Sequence, residues 1–178
     1  MSRRIFVALK ISQRLGEKIS DWEKGFPALP VRWLAPRNLH ITLIPPWYED
    51  DWEGVSRKLK KLEGLFKEEM RLRFEEVAFG PDFRNPRLIW AKGETPETLL
   101  KLKKALEDVL NRKAEKRPFR LHLTLARFRP EEFEFFPRRR LAEKICWQEK
   151  VVSFTLMESH LSPRGAEYEA LAGIKIGP

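Results

Sequence analysis

The chain has 178 residues, of which 34% are charged and 42% hydrophobic. This balance is typical of one globular domain, or of two small lobes that share a core, and it excludes a disordered chain. No apolar run approaches the roughly 20 residues of a membrane-spanning helix, so we expect no membrane partner. The net charge of +9 and the isoelectric point near 9.8 favour a polyanionic partner, with nucleic acid first.

Cysteine usage and the first residues of the chain bear on the compartment. Cys146 is the single cysteine, so no internal disulfide can form, which fits a reducing cytoplasm. Its neighbours Ile145 and Trp147 predict a small buried hydrophobe rather than a nucleophile. The opening apolar stretch is too short for a signal peptide and has no small-residue cleavage site. We therefore expect a cytoplasmic protein.

The predicted elements alternate between strands and helices along the chain. Strands are predicted where apolar residues alternate with polar ones, and helices where apolar residues recur every three or four positions. The strands are predicted at residues 4–10, 31–34, 39–43, 71–79, 86–92, 121–125, 150–161 and 168–176, and the helices at residues 12–26, 49–66, 95–112 and 138–145. The third of these helices is expected to begin with Thr95 as the N-cap and Pro96 at the first helical position. Trp33, Trp90 and Trp147 lie in apolar strand patterns and are expected in the core.

A short phrase occurs twice in this sequence. Residues 36–43 read PRNLHITL and residues 118–125 read PFRLHLTL, so proline, leucine, histidine, threonine and leucine recur at the same offsets. The phrase uses two of the three histidines, His40 and His122, which are 82 positions apart. Two copies of a proton carrier beside a hydroxyl predict one site built from two halves of the chain.

Each copy of the phrase alternates between two kinds of side chain. Successive side chains of a strand point to opposite faces of the sheet. His40 therefore shares a face with Thr42, and His122 shares a face with Thr124, while the aliphatic residues occupy the other face. The element order predicts an α+β fold with internal duplication, in which pseudo-twofold packing of two lobes brings both histidine faces to a central cleft. We expect residues 1–178 to form a single bilobal domain.

The paired phrases resemble those of the 2H phosphoesterase superfamily, and more narrowly its RNA 2′,3′-cyclic phosphodiesterase branch, also called 2′-5′ RNA ligase. The resemblance covers nearly the full length. The matching segments are RIFVAL (4–9), VRWLAPRNLHITL (31–43), PRLIW (86–90), PFRLHLTLAR (118–127) and ESHLSPRGAEY (158–168). It implies two antiparallel sheets that face a central cleft, with helices packed outside.

The resemblance also implies an activity that the chemistry of these residues can serve. Opening a 2′,3′-cyclic phosphate needs a base for water and an acid for the departing ribose oxygen, and imidazole suits both because its pKa lies near neutrality. By similarity His40 is the acid and His122 the base, leaving a 2′-phosphate. Thr42 and Thr124 hydroxyls would donate to the phosphate. Run backwards, the same pair would join a cyclic phosphate to a 5′ hydroxyl.

The resemblance also implies roles for two further positions. Arg127 matches an arginine with which the family contacts phosphate, but strict alternation would turn it away from His122 unless the strand ends or bulges near Ala126. The mirror position is Pro45, where the family usually has a phenylalanine that stacks on a base. We expect Trp47 or Tyr48 to supply that ring instead.

The partner implied is RNA that ends in a 2′,3′-cyclic phosphate, tRNA fragments included, bound by a monomer. We predict no cofactor, since no glycine-rich phosphate-binding motif occurs, and no metal, since three scattered histidines and one cysteine offer no zinc-ligand spacing. His160 has no threonine two positions on and is interpreted as structural.

The sequence is also compatible with two other functions. One is a 2H phosphodiesterase for a small cyclic phosphate, such as ADP-ribose cyclic phosphate, or for a 2′-5′ oligonucleotide, which the altered sequence around Pro45 favours. The other is a non-catalytic module that binds RNA ends, against which the two intact histidine–threonine pairs argue.

Overall fold

The structure is a computed structural model that describes residues 1–163 and 165–178. Arg164, in the segment that resembles the family's C-terminal motif, lies outside the described residues. The strands are β1 (Arg3–Lys10), β2 (Arg32–Trp33), β3 (His40–Glu49), β4 (Met70–Gly80), β5 (Leu88–Lys92), β6 (His122–Arg127), β7 (Ala142–Val151), β8 (Ser153–Ser162) and β9 (Gly165–Lys175). The helices are α1 (Gln13–Glu23), α2 (Trp52–Lys60) and α3 (Glu97–Val109), with 3₁₀ turns at Pro36–Asn38 and Pro130–Phe135.

The strands form two antiparallel sheets, which confirms the predicted α+β fold class. Sheet A has the order β3-β1-β8-β9, and sheet B has the order β2-β6-β5-β4-β7. Helix α1 follows a strand of sheet A but contacts β7 of sheet B, while α3 follows a strand of sheet B and contacts β3 of sheet A. The helices thereby tie the sheets together, and one large apolar cluster contains residues of both sheets.

The two phrase-bearing strands pair with their neighbours in the same register. His40 lies opposite Lys10 and Thr42 opposite Ala8 on β1. The equivalent pairs on β5 and β6, His122 with Lys92 and Thr124 with Trp90, lie 82 positions later on both strands. The offset between the two phrases is therefore also the offset between the strands that support them.

Each of these strand pairs also contains the same irregularity. Val7 and Ala8 lie opposite Ile44 and Thr42, so Leu43 is an extra residue in β3. Leu125 is the extra residue in β6, because Ile89 and Trp90 lie opposite Ala126 and Thr124. Such a β-bulge puts two residues opposite one and resets the alternation of faces beyond it. Both bulges occur three residues after the histidine.

The aliphatic face of each phrase forms part of the core, as the alternation predicts. The buried members are Leu39, Ile41, Leu43, Leu121, Leu123 and Leu125, each no more than 2% exposed. Burying a side chain of this size stabilises the fold by about 1.5–3 kcal/mol. The opposite face of each strand is thereby held toward the space between the sheets.

The predicted helix at residues 138–145 is wrong. Residues from Ala142 onward form β7, in which buried Trp147, Glu149 and Val151 alternate with exposed residues. Pairing with β4 across residues 142–151 decides this conformation, which local periodicity does not show. Cys146 lies on the exposed side of β7, so the prediction of a buried thiol is also wrong.

Helices α2 and α3 begin later than predicted, and in each case a side chain near the start accepts a backbone hydrogen bond. Helix α3 begins at Glu97 with Pro96 as the N-cap, not Thr95. The Thr95 hydroxyl instead accepts a hydrogen bond of 2.8 Å from the backbone N–H of Leu121, which anchors the second phrase. Helix α2 is shorter than predicted, beginning after Asp51, whose carboxylate accepts from the backbone N–H of Gly54 at 2.8 Å.

Other predicted boundaries also shift. The predicted strand at 150–161 divides at Val152 into the end of β7 and the start of β8, and the last strand begins at Gly165 rather than at residue 168. Trp147 is buried as predicted, whereas Trp33 and Trp90 are half-buried. Among the helices of the described residues, none is long and apolar enough to span a membrane.

Shortening a core residue of the second phrase is expected to destabilise the fold. Leu123 is 0% exposed in β6, so Leu123→Ala should lower the free energy of unfolding by about 2–5 kcal/mol through lost burial and a residual cavity. Urea unfolding measures the change. Leu100→Ala on α3, at a leucine that is 43% exposed, is the matched control and should cost far less. Equal losses in the two variants would contradict the role of this strand face in the core.

Glu23, the last residue of α1, is expected to make stability depend on pH. Burial raises the pKa of its carboxyl to about 7, from 4.5, and Oε1 is buried without a hydrogen-bond partner among the described residues. The unfolded chain releases this proton above about pH 4.5 while the folded chain retains it to about pH 7. The native state is therefore destabilised progressively as the pH rises through this window.

Glu23→Gln should remove this penalty. We expect a gain of about 1–2 kcal/mol in the free energy of unfolding at pH 8, less than the full shift implies because the carboxyl remains partly solvated. Little gain is expected at pH 4, where both states hold the proton. Urea unfolding at both pH values measures this difference, and an equal effect at both would show that ionisation of Glu23 is not the cause.

Candidate active site

The two repeated histidines are held by the same hydrogen bond. His40 Nδ1 lies 2.7 Å from the carbonyl oxygen of Asn38, and His122 Nδ1 lies 2.8 Å from the carbonyl oxygen of Arg120. A backbone carbonyl only accepts, so Nδ1 must be the donor in both rings. When either imidazole is neutral, Nε2 is therefore the nitrogen free to take a proton.

Aromatic rings fix the orientation of both imidazoles. The His40 ring lies 5.1 Å from the Phe6 ring and 4.8 Å from the Tyr168 ring, measured between centroids. The His122 ring lies 5.3 Å from Trp90. Trp90 itself lies over Gly80, where an added Cβ would come within 2.4 Å of the indole, so only glycine lets the ring settle there. Each histidine is thus backed by a strand neighbour that limits its rotation.

The environment of His40 disfavours its charged form. Burial lowers the pKa of His40, the hydrogen bond to the Asn38 carbonyl opposes that effect, and the charges of Arg127 and His122 lower the pKa further. The influence of Arg127 and His122 on His40 shows that the two halves of the chain meet here. The structure thus brings both repeated histidines into one cleft, as the sequence predicts.

Arg127 faces the cleft because of the bulge in β6. Leu125 and Ala126 are both buried, and Arg127 returns to the side of His122 and Thr124. This is the departure from strict alternation that the prediction for Arg127 required. In β3 the same bulge brings Pro45, which is exposed, to the equivalent position. The two halves therefore share a backbone plan but place a cation on one side only.

Thr42 and Thr124 lie on the cleft face beside their histidines. Both are half-buried, and within residues 1–163 and 165–178 neither side chain has a hydrogen-bond partner. Their hydroxyl groups are available to donate to an anion in the cleft.

Trp47 and Tyr48 lie away from the histidines. The Trp47 ring packs on the core side of β3, with the Arg112 guanidinium 4.0 Å from its centroid. Tyr48 pairs with Arg4, whereas His40 pairs with Lys10. Six residues of strand separate these two positions on β1, which is about 20 Å. The structure therefore does not bring either ring next to the two histidines of the repeated phrase.

Sequence reasoning missed several residues of the cleft. Tyr168 reaches His40 from β9, and no spacing in the sequence marks it. Lys10 and Lys92 lie directly opposite the two histidines, and the 82-residue offset does mark this pair. Lys92 is held by Glu76 at 3.0 Å, while Lys10 is exposed.

His160 lies outside this arrangement. Its Nε2 lies 3.1 Å from Glu169 and 4.0 Å from Glu158, on the exposed surface of β8 and β9. The nitrogen and oxygen atoms of these three side chains lie within 4.8 Å of one another, which is close enough for them to be considered as metal ligands. Glu158, however, is already paired with Arg3 at 2.8 Å, and His160 hydrogen-bonds to Glu169, so the group is satisfied within the protein.

The cleft combines groups that bind an anion with groups that move protons. Arg127 and the two threonine hydroxyls are donors, and the imidazole Nε2 atoms accept or deliver protons. Two histidines with a shared hydrogen-bond plan but unequal surroundings can hold opposite protonation states. Such a site suits proton transfer at both sides of a phosphate ester.

Several solved structures share this fold. The apo structure of Escherichia coli LigT matches with a TM-score of 0.74 at 25% identity over 99% of both chains. A crystal structure described as a phosphoesterase matches with a TM-score of 0.78 at 24% identity over the full length of both. The protein TT0787 of Thermus thermophilus matches with a TM-score of 0.72 at 23% identity over 97% of both. The fold is that of the LigT-like proteins.

The sequence comparisons give the family. A family model described as the 2′-5′ RNA ligase superfamily matches residues 12–163. The chain therefore belongs to the 2′-5′ RNA ligase superfamily. A protein of Archaeoglobus fulgidus named RNA 2′,3′-cyclic phosphodiesterase is 27% identical over 94% of this chain and 97% of its own length. A protein of the same name from Methanothermobacter thermautotrophicus is 29% identical over 94% and 96%.

The geometry predicts how His40 titrates. Arg127→Gln removes a positive charge that disfavours imidazolium, so the pKa of His40 should rise. It should remain below its ordinary value of 6.5, because burial is the larger cause of the shift. Histidine NMR signals followed against pH measure this. Arg57→Gln on α2 is the control, and a His40 pKa that responds equally to both variants would contradict the placement of Arg127 beside it.

Proposed function

We propose that this protein is a phosphoesterase that opens the 2′,3′-cyclic phosphate at the end of RNA and leaves a 2′-phosphate. The matched Nδ1–carbonyl bonds of His40 and His122 carry this proposal, because they leave two Nε2 atoms for one acid and one base. The names of the curated relatives supply the substrate class. RNA fragments, those of tRNA included, are the substrates proposed.

The reaction needs two proton transfers, one on each side of phosphorus. His122 takes a proton from water, whose oxygen attacks phosphorus. The bond to the 3′ oxygen breaks, and that oxygen receives the proton of His40. Hydrogen bonds from Thr42, Thr124 and Arg127 stabilise the charge that develops on the non-bridging oxygens. These groups supply acid, base and charge stabilisation, so the proposed reaction requires neither a metal nor a cofactor.

The low pKa of His40 suits the acid role and makes that role testable. A proton held by a weakly basic imidazole is transferred more readily, and the negative charge of bound substrate raises the pKa of His40. The same groups can run in reverse, with a 5′ hydroxyl in the place of water, so 2′-5′ ligation is part of the proposal. An RNA with a 5′ hydroxyl added at high concentration tests for that product.

Hydrolysis of a short RNA that ends in a 2′,3′-cyclic phosphate is the direct test. With EDTA present, the wild type should release a 2′-phosphate end, identified by ³¹P NMR, and His40→Ala and His122→Ala should each lose at least about 10²-fold in kcat. His160→Ala is the matched control and should retain turnover, since that ring is outside the cleft. Absence of hydrolysis by the wild type would overturn the proposal and leave binding of RNA ends.

The pH profile separates the two roles of His40. If His40 is the acid, kcat/KM should fall on the alkaline side, with an apparent pKa below 6.5, because the free protein must hold that proton. If His40 is the base, the same pKa should appear as a fall on the acidic side. Steady-state rates from pH 4 to pH 9 distinguish these outcomes, and the second would exchange the roles of His40 and His122.

A small cyclic phosphate is the second candidate substrate. The observation that favours it is the second half of β3, where Pro45 stands in place of the family's aromatic ring and Tyr48 lies about 20 Å along the strand from His40. ADP-ribose cyclic phosphate, a 2′-5′ oligonucleotide and the RNA end, compared by kcat/KM, decide between the two.

A further inference from the structure

The connection from α3 to β6 carries an excess of positive charge. We call residues 111–120 the basic segment, because it contains several cationic side chains and a single carboxylate, that of Glu115. The cationic residues are Arg112, Lys113, Lys116, Arg117 and Arg120. The last of them lies two positions before His122, and its carbonyl oxygen accepts the hydrogen bond that orients the His122 ring. The end of the basic segment therefore adjoins the catalytic cleft.

The beginning of the basic segment lies against the first half of the chain. Arg112 and Lys113 line a cavity of about 460 Å³ together with Pro45 of β3. The Arg112 guanidinium lies 4.0 Å from the centroid of the Trp47 ring on the same strand. Pro45 is the residue of β3 that matches Arg127 of β6. The basic segment thus connects this position of the first half with the second histidine, and it borders the cleft between them.

A buried lysine of α3 holds the middle and the end of the basic segment. Lys103 is only 6% exposed, and its Nζ lies 3.0 Å from the carboxylate of Glu107 and 3.2 Å from that of Glu115. The same ammonium group lies 5.6 Å from the centroid of the Phe119 ring. Because the carboxylate of Glu115 is paired with a lysine of the helix, it does not compensate the cations of its own segment.

Four cations of the basic segment are exposed without a partner. Among the described residues, the side chains of these four have neither an ion pair nor a hydrogen bond. They are Lys113, Lys116, Arg117 and Arg120. The exposed lysines of the preceding helix differ, since Lys101 pairs with Glu97 at 3.0 Å and Lys104 pairs with Asp108 at 2.6 Å. A group of unpaired cations at the edge of a cleft attracts anions and raises their local concentration.

The backbone of single-stranded RNA matches this arrangement. It carries one negative charge for each nucleotide, and lysine and arginine are principal donors to backbone phosphates. We propose that the basic segment binds the phosphodiesters that precede the cyclic phosphate end, through its four exposed cations, while the end itself lies between the two histidines. Such contacts do not depend on base sequence. The inference rests on the proposed function and makes an RNA chain, rather than a small cyclic phosphate, the preferred substrate.

Substrates that differ in length and charge test the basic segment without altering the protein. They are a nucleoside 2′,3′-cyclic phosphate, an octanucleotide that ends in the same cyclic phosphate, and that octanucleotide with neutral methylphosphonate linkages. Both octanucleotides carry 2′-O-methyl groups at the preceding residues, so they differ in charge alone. At low salt the charged octanucleotide should exceed the mononucleotide by at least about 10-fold in kcat/KM, and the neutral linkages should remove most of this advantage.

A triple substitution in the basic segment provides the second readout. Contact with single-stranded nucleic acid releases counterions, so log(kcat/KM) should fall with log[salt] with a slope of about −0.7 for each phosphate bound. In Lys113→Gln/Lys116→Gln/Arg117→Gln this slope should become less negative by about 2 for the charged octanucleotide. The ratio of kcat/KM for the charged octanucleotide to that for the mononucleotide should fall about 10-fold at low salt. Arg120 is left unchanged because its carbonyl orients His122.

Three lysines at α2 provide the matched control. The side chains of Lys58, Lys60 and Lys61 are exposed and have no partner among the described residues. Helix α2 follows the end of β3 that lies farthest from His40. Replacing all three lysines by glutamine removes the same charge and should leave both the salt slope and the ratio unchanged. Thermal unfolding of the two triple variants shows whether they are folded when they are compared.

The outcomes separate this inference from the proposed function. Turnover of neither the mononucleotide nor the charged octanucleotide by the wild type would overturn the proposed function. Equal kcat/KM for all three substrates would overturn the role of the basic segment alone, as would an advantage that persists with neutral linkages or equal losses in the two triple variants. An advantage that disappears with neutral linkages and in the first triple variant, but not in the second, would support it.

Discussion

Burial of one face of β3 and of one face of β6 is the constraint on which the rest of the structure depends. The aliphatic residues of both phrases lie in the core, and this burial turns the histidines and threonines toward the cleft. A slip of one residue in either strand would place an imidazole in the core and a leucine in the cleft. Interlocking helices reinforce the arrangement, since α1 and α3 each contact the sheet that their preceding strand does not join. Positioning of the site and stability of the core are thus the same property of these strands.

A shared backbone plan supports unequal chemistry in the two halves. Register, bulge and the Nδ1–carbonyl bond repeat at both histidines, so both present Nε2 in the same way. The side chains around them differ, because Arg127 is matched by Pro45, and Trp90 by Ala8. The proposed acid–base catalysis needs such a difference, because its two histidines must differ in protonation. Burial, together with the nearby charges of Arg127 and His122, lowers the pKa of His40.

Much of the site could be predicted from repetition alone. The two phrases gave both histidines, both threonines and the faces on which they lie, because side-chain direction in a strand follows from sequence alternation. Lys10 and Lys92 are separated by the same 82 residues as the two histidines, so the repeat also predicts this pair, whereas the alternation of apolar and polar residues does not. Local patterns were weaker elsewhere. The segment that forms β7 was predicted partly as a helix, because its conformation is decided by pairing with β4 rather than by its own periodicity.

The sequence by itself determined the fold class, the half-buried strands and the residue types that meet in the cleft, since these follow from periodicity and from repetition at fixed offsets. Only the tertiary structure decided the direction of Arg127, the approach of Tyr168 to His40 and the distance of Tyr48 from it. Each of these depends on a partner strand. A bulge exists only relative to the strand opposite it, and contact between β9 and the first phrase joins residues 128 positions apart. Long-range pairing of this kind leaves no mark in the local order of residues.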